Sequence, residues 1–366
     1  MRIAILVLMA VLVGGCGREA PPVRPLAARV TEIAEVNTAG AYVDTIALSR
    51  DGSRVATGQR NGSIRVWTPA STPEPATFGV SRQAVADLAF APSGDLLASL
   101  GLYREGTLRL WRPGASPGAW SEMASLPVGH CLGLRFDGLG ERLAVMCARE
   151  VLIVDVAGPV AIGRITSSHR EELTAFDLAA NGTRLITAGH EGDVTVWDPV
   201  STTPLHTFSV AQSRRPGPLP RGIPAPEVWA VVVALSPDGS RAAAVTIEGT
   251  VYAWDVTTGA ELLMDAHPEA GGPPNGSLRF AEDGRLLAPT GDRRGMRLFD
   301  LTRKTSRIAG TGAKNFNAVA ITDDATGFAR SRRRWRAASS STTSRSGRWS
   351  RARDPPGPAD ARPRHP

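Results

Sequence analysis

One phrase recurs along most of this chain. It runs apolar strand, polar turn ending in Gly, apolar strand, second turn, then a third strand ending in a bulky residue, usually aromatic. Six copies occupy Ile46 to Pro69, Leu88 to Pro113, Leu134 to Val156, Phe176 to Pro199, Val233 to Val256 and Leu278 to Leu301. A seventh begins at Ala320 to Ala329 and then stops matching. The third-strand positions are Trp67, Trp111, Val154, Trp197, Trp254 and Phe299, spaced 44, 43, 43, 57 and 45 residues apart. Within each strand the apolar residues alternate with period two, as in half-buried antiparallel strands. Asp51-Gly52, Ser93-Gly94, Asn181-Gly182, Asp238-Gly239 and Asp283-Gly284 predict tight hairpin turns, where Gly supplies a positive φ. One small sheet cannot bury both of its faces, so its neighbours must cover it, and a period of about 40–45 residues predicts propeller blades. The expected fold is all-β: a seven-bladed β-propeller with its last blade incomplete.

Two third strands end in Trp-Asp, at Trp197-Asp198 and Trp254-Asp255, and Phe299-Asp300 and Val154-Asp155 are variants. Gly129-His130 and His169 stand a few residues before the third and fourth copies. With these dipeptides the chain resembles the WD40 repeat family over about residues 28–329. The resemblance implies a buried hydrogen-bond set of His, Ser or Thr, Trp and Asp in each blade. The fourth copy comes nearest with His169, Thr187 and Trp197, but Glu191 stands where Asp is usual. Elsewhere that position holds Asn61, Glu105, Glu248 or Arg294. Most blades are therefore expected to lack the full set and to depend more on packing of buried aromatics such as Trp67 and Trp111.

The repeat breaks in two places. Between the fourth and fifth copies, Ala211 to Trp229 adds about 13 residues with five Pro, which a central strand does not accept. This is a rim loop, either a neutral insertion or a binding element. The seventh copy breaks mid-blade, after Phe328-Ala329. Residues 330–366 then hold eleven Arg and two Asp, a formal +9 against +7 for the whole chain, so the rest is slightly acidic. This tail, expected to be disordered, reads as a shifted reading frame, as a basic binding tail or as an inert extension. We favour the first, because a genuine tail would follow a finished repeat. The blade is then left unfinished and the ring poorly closed, with Arg29 to Val36 as its outer strand. Because the charge is confined to the tail, nucleic-acid binding by the fold is not expected.

The N-terminus reads as an address. Ile3 to Val13 is an apolar run of eleven residues after Met1-Arg2. A membrane-spanning helix needs about 20, so this is the core of a signal peptide. It ends in Val13-Gly14-Gly15-Cys16, which resembles the lipobox of bacterial lipoproteins and implies lipidation of Cys16. The alternative is an ordinary secretory signal with an incidental Cys. The expected organisation is signal peptide 1–15, tether 16–27, propeller 28–329 and tail 330–366, with the protein anchored by lipid to the bacterial cell envelope.

Catalytic residues, a metal site and a cofactor are not expected. HExxH and phosphate-loop motifs are absent, and Gly310 to Lys314 has the wrong spacing for the second of these. The six His show no metal-ligand spacing, and His190-Glu191 falls on a hairpin turn. If Phe136 pairs with Arg142 across the first turn of the third copy, Cys131 lies opposite Cys147. In an exported protein they are then either a cross-strand disulfide or two small buried residues. The function expected is that of a non-catalytic scaffold presenting its rims to unidentified protein partners. The alternative is an enzyme or a metal- or cofactor-binding propeller with its site in the central channel.

Overall fold

The computed structural model describes residues 2–7, 31–37, 43–68, 75–79, 84–102, 106–116, 118–167, 169, 171–210, 230–265, 278–281, 283–289, 295–310, 318–321 and 327–331. Cys16, the tether, the Pro-rich segment 211–229, residues 311–314 and the Arg-rich tail beyond Ser331 lie outside them. Among the described residues there is no helix. Every strand pairing is antiparallel, as the period-two patterning predicts.

Six sheets are each built from four consecutive strands. The fourth, for example, runs Leu173–Leu178, Leu185–Gly189, Asp193–Asp198, Thr203–Ser209. The first strand of each sheet packs against the first strands of its neighbours. Val43–Leu48 meets Val85–Phe90, which meets Cys131–Phe136, and the series continues through Leu173–Leu178 and Ala230–Leu235 to Arg279–Phe280. The second strands are covered on both faces, so Leu97–Gly101 and Leu185–Gly189 are buried at every residue. The fourth strands face outward, and Trp120–Pro127 and Val160–Thr166 are largely exposed. This order, with the first strand inside and the fourth outside, is that of a WD40-like propeller.

The core lies between sheets. Five buried clusters are found, each drawn from two consecutive sheets. One joins Ile186, Val194, Val196 and Phe208 of the fourth sheet to Val233, Ala242, Ala244, Tyr252 and Trp254 of the fifth. Another joins Leu100, Leu108 and Leu110 of the second to Leu134, Leu143 and Val145 of the third. Among the described residues no sheet completes a core alone.

The first turns are tight, with the expected Gly at positive φ. Ser236 N donates to Arg241 O, and Gly239 N to Ser236 O, so the loop holds four residues around an i to i+3 turn. The Gly matters: Gly239 sits at φ 72°, where a side chain would be strained. The closing sheet differs from the expected one. The seventh copy supplies Ala318–Ile321 and Gly327–Ser331, the outer strand is Thr31–Asn37, and the third-strand position is taken by Arg2–Val7. The position is therefore filled from the N-terminus, where an unfinished blade was expected. Ala318–Ile321 packs against Val43–Leu48 of the first sheet.

The first strands of sheets one to five each carry a bulge near their start. The register slips between Val43 and Thr45, Val85 and Asp87, Cys131 and Gly133, Leu173 and Ala175, and Ala230 and Val232. An extra residue bends the strand and re-aims its side chains. In the third sheet it decides a pairing. Phe136 faces Leu143, not Arg142, a register one residue off the expected one. The bulge at Leu132 absorbs that residue, and Cys131 still faces Cys147. Their Sγ atoms are 1.98 Å apart, at bonding distance.

Candidate functional site

The third-strand aromatics are buried, with Trp67, Trp111, Trp197 and Trp254 all at 5 % exposure or less. Two residues beyond the partner that faces each third-strand residue in the register, the second strands hold Thr57, Ser99, Val145, Thr187, Ala244 and Ala288. Where Ser99 or Thr187 stands there, the indole donates to it. Trp111 Nε1 reaches Ser99 Oγ at 2.8 Å and Trp197 Nε1 reaches Thr187 Oγ1 at 2.8 Å.

Only the fourth sheet extends this among the described residues. Thr187 Oγ1 lies 3.4 Å from His169 Nε2, and His169 Nδ1 lies 3.6 Å from Glu191 Oε2. Glu191 also accepts from Glu171 N at 2.7 Å. The extra methylene of Glu reaches the position that the resemblance assigned to Asp. Burial pulls the His169 imidazole below its ordinary range, against the pull of Glu191 and Asp193. A neutral ring can accept from Thr187 at Nε2 while Nδ1–H faces Glu191. Gly189 leaves room for this, since a Cβ there would meet His169 Cγ at 2.7 Å. His130, by contrast, is exposed.

The fifth sheet has Ala244 in place of a hydroxyl residue and relies on rings. Trp254 stacks on Phe208 at 4.7 Å and on Tyr252 at 5.5 Å between centroids. Asp198 and Asp255, the acidic halves of the Trp-Asp dipeptides, play no part in the buried set. They fold the next turn. Asp198 Oδ1 accepts from Val200 N and Ser201 N, and Asp255 Oδ1 accepts from Thr257 N and Thr258 N. These backbone donors hold both carboxyls below the usual carboxylate range.

Among the described residues, two surfaces stand out that could receive a ligand or partner. The first is the rim formed by the first turn of each sheet. Copies one and five share the sequence Ser-x-Asp-Gly-Ser-Arg, at 49–54 and 236–241. In the fifth sheet Ser236 Oγ donates to Asp238 at 2.5 Å, Asp238 accepts from Ser240 N at 3.1 Å, and Arg241 N donates back to Ser236 Oγ at 2.9 Å. The first sheet repeats these bonds through Ser49, Asp51, Ser53 and Arg54. The closing Arg reaches the following sheet: Arg54 donates to Gly94 O and Arg241 to Gly284 O. Asn181 binds Pro237 O and Asp238 O in the same direction. Between these tied turns lie clefts of about 570 Å³ and 360 Å³. The larger is lined by Arg241, Arg285 and Arg303 facing Asp238, Asp283 and Asp300.

The second is a cavity of about 260 Å³ among the first strands. Asp87 joins three sheets there, accepting from Thr45 Oγ1 at 3.1 Å and from Leu134 N and Leu88 N at 2.9 Å. It keeps some exposure to the cavity, but desolvation by the sheets holds its carboxyl above the ordinary range, against Arg135 and these donors. Arg135 Nε lies 3.4 Å from Asp177 Oδ1, and Asp177 Oδ2 accepts from Leu235 N at 3.0 Å. Among the described residues no group of three or more His, Cys, Asp or Glu is placed to hold a metal. Nor is any helix among them long and apolar enough to cross a membrane.

Sequence reasoning named the rims and the central channel but none of the residues that line these two surfaces. The shared Ser-x-Asp-Gly-Ser-Arg hexapeptide was a visible signal for the first. A lone Asp in the apolar strand Val85–Phe90 was a weaker one for the second.

Serial four-stranded sheets, cored between neighbours and pinned by third-strand indoles, define a β-repeat protein of propeller type. Residues 33–68 and 75–112 match the family model for the WD domain, G-beta repeat. The chain carries WD40 repeats at residues 33–112. It is similar to WD repeat-containing protein SL1-17 of Schistosoma mansoni, 41 % identical over 64 residues, which are 18 % of this chain and 20 % of that protein. It is also similar to Transcription factor unc-37 of Caenorhabditis elegans, 26 % identical over 169 residues, 43 % of this chain and 27 % of that protein. The chain thus spans well under half the length of either relative.

Proposed function

We propose that this chain is a non-catalytic interaction scaffold, a seven-bladed ring that is exported, lipid-anchored through Cys16 at a bacterial cell envelope, and holds protein partners on its rims. The observation that carries the reading is the tied rim. WD40-repeat proteins generally bind other proteins, and this rim offers open clefts whose charged side chains are fixed by turn hydrogen bonds. Fixed side chains lose little freedom on binding, which favours recognition of a partner. The anchor rests on the sequence alone, on the apolar run ending at Cys16.

Two substitutions test the two halves separately. Cys16→Ser should move the protein from the membrane fraction to the soluble fraction. Arg285→Glu with Arg303→Glu should abolish retention of a crosslinked partner while leaving the unfolding midpoint within a degree or two. Retention unchanged by the charge reversal would remove the rim from the argument.

A second reading is favoured by the central cavity, where Arg135 and Asp177 sit beside Asp87. Under it the cavity holds a small ligand, as in a propeller enzyme or a cofactor-binding protein. Metal and small-molecule analysis of the purified protein separates the two readings.

A further inference from the structure

The closing sheet is built from both ends of the chain, and its third strand has a particular origin. Arg2–Val7 lies between Gly327–Ser331 and Thr31–Asn37 and is antiparallel to both. On one side Ile3 faces Ser331, Ile5 faces Ala329 and Val7 faces Gly327. On the other Ile3 faces Val36, Ile5 faces Ala34 and Val7 faces Thr31, with a slip after Ile5 that leaves Ile33 as the extra residue. Thr31–Asn37 has no strand neighbour in this sheet except Arg2–Val7, because the order runs 31–37, 2–7, 327–331, 318–321. The outer strand is therefore joined to the sheet only through residues 2–7.

Those residues are also the start of the apolar run read as a leader. The two uses of one segment exclude each other. A central strand needs a backbone that pairs on both edges and a short continuous apolar sequence, and Ile3-Ala4-Ile5-Leu6-Val7 provides both. Cleavage before Cys16 would remove it. Gly327–Ser331 would then show an unpaired edge, and Thr31–Asn37 would lose its partner. Exposed edges of this kind accept an added strand.

We infer that the gap between Gly327–Ser331 and Thr31–Asn37 is a strand-acceptor site, filled in cis by residues 2–7 in the unprocessed chain. Removal of the leader opens it to a short apolar strand that pairs antiparallel with Gly327–Ser331. The inference rests on the pairing and not on the scaffold reading. Whether cleavage occurs in the cell is a separate question, answered by the N-terminal mass of the mature protein.

The test begins with the full chain retained in a cytoplasm that does not export it. Two double variants, Ile5→Cys with Ala329→Cys and Ala4→Cys with Arg330→Cys, place thiols at adjacent register positions. Pair types alternate along an antiparallel ladder, so one of the two is a closely spaced, non-hydrogen-bonded pair. Mild oxidation should crosslink at least one of them, as read by peptide mass. Failure of both would overturn the inference.

Hydrogen exchange then compares the full chain with one beginning at Cys16. Protection of amides in 31–37 and 327–331 should fall by about tenfold or more, while that of Leu185–Gly189 in the fourth sheet stays unchanged. A synthetic peptide of residues 2–8 should restore it. Equal protection with and without residues 1–15, or no recovery with the peptide, would also overturn the inference. If the shortened chain does not fold, the crosslinking result decides alone.

Discussion

The Arg241 guanidinium donates to the carbonyl of Gly284 at 3.1 Å and ties the first turn of the fifth sheet to that of the sixth. Arg54 does the same to Gly94 between the first and second sheets. A hydrogen bond from a charged donor contributes about 1.5–3 kcal/mol, less when partly exposed. Arg241→Ala should therefore lower stability by about 1–2 kcal/mol in urea titration. Arg54→Ala should cost a similar amount, and because the two pairs involve different sheets their losses should add.

Thr187 and Ala244 occupy equivalent positions with different partners, and this predicts a contrast. Thr187→Val keeps the shape but leaves Trp197 Nε1 without its acceptor, which should cost about 1–3 kcal/mol. Ala244→Ser adds a hydroxyl within the same register of Trp254 and should stabilise only if its indole turns toward it. Thermal melts of both variants, with Trp emission to report indole environment, check this.

Stability should fall with acid in two windows. Burial lowers the folded pKa of His169 below its ordinary 6.5, so the unfolded chain binds the proton more tightly and stability drops as pH falls below 6.5. The carboxyls of Asp198, Asp255 and Asp300 are held below 3.8 by turn hydrogen bonds. Their contribution is present above 3.8 and lost as pH falls through the folded values. Asp87 has the opposite sign. Its folded pKa is raised, so its ionisation costs stability as pH rises above 3.8. In denaturant titrations across pH, His169→Phe should flatten the upper window, whatever it costs in absolute stability. Asp255→Asn keeps an oxygen acceptor for the turn and should flatten only the lower one.

The Cys131–Cys147 crosslink closes a loop with a sequence separation of 16. Loop closure of that length restricts the unfolded chain by about 3 kcal/mol. Reduction should lower the urea midpoint accordingly. Thiol labelling of the unfolded protein should show both cysteines blocked before reduction and free after it. Labelling of both without reductant would contradict the pairing.

What the sequence determined by itself was everything periodic. Strand alternation, the Gly of each first turn and the buried Trp67, Trp111, Trp197 and Trp254 follow from local spacing, because the period of a strand and the φ of a turn are local properties. The His169–Thr187–Trp197 set was legible through the resemblance to WD40 repeats, which implied it, with Glu191 in the place usual for Asp. The Cys131–Cys147 pairing was reached through a register one residue off, and only the bulge at Leu132 brought the two into line. Tertiary structure alone decided contacts that depend on how one sheet lies against the next. Arg241 meets Gly284, and Asp87 gathers donors from three sheets, because sheets that cannot bury their own faces must stack. It also decided what fills the last sheet. Among the described residues the seventh copy supplies two strands, and a backbone edge left unpaired recruits an apolar strand within reach, here residues 2–7.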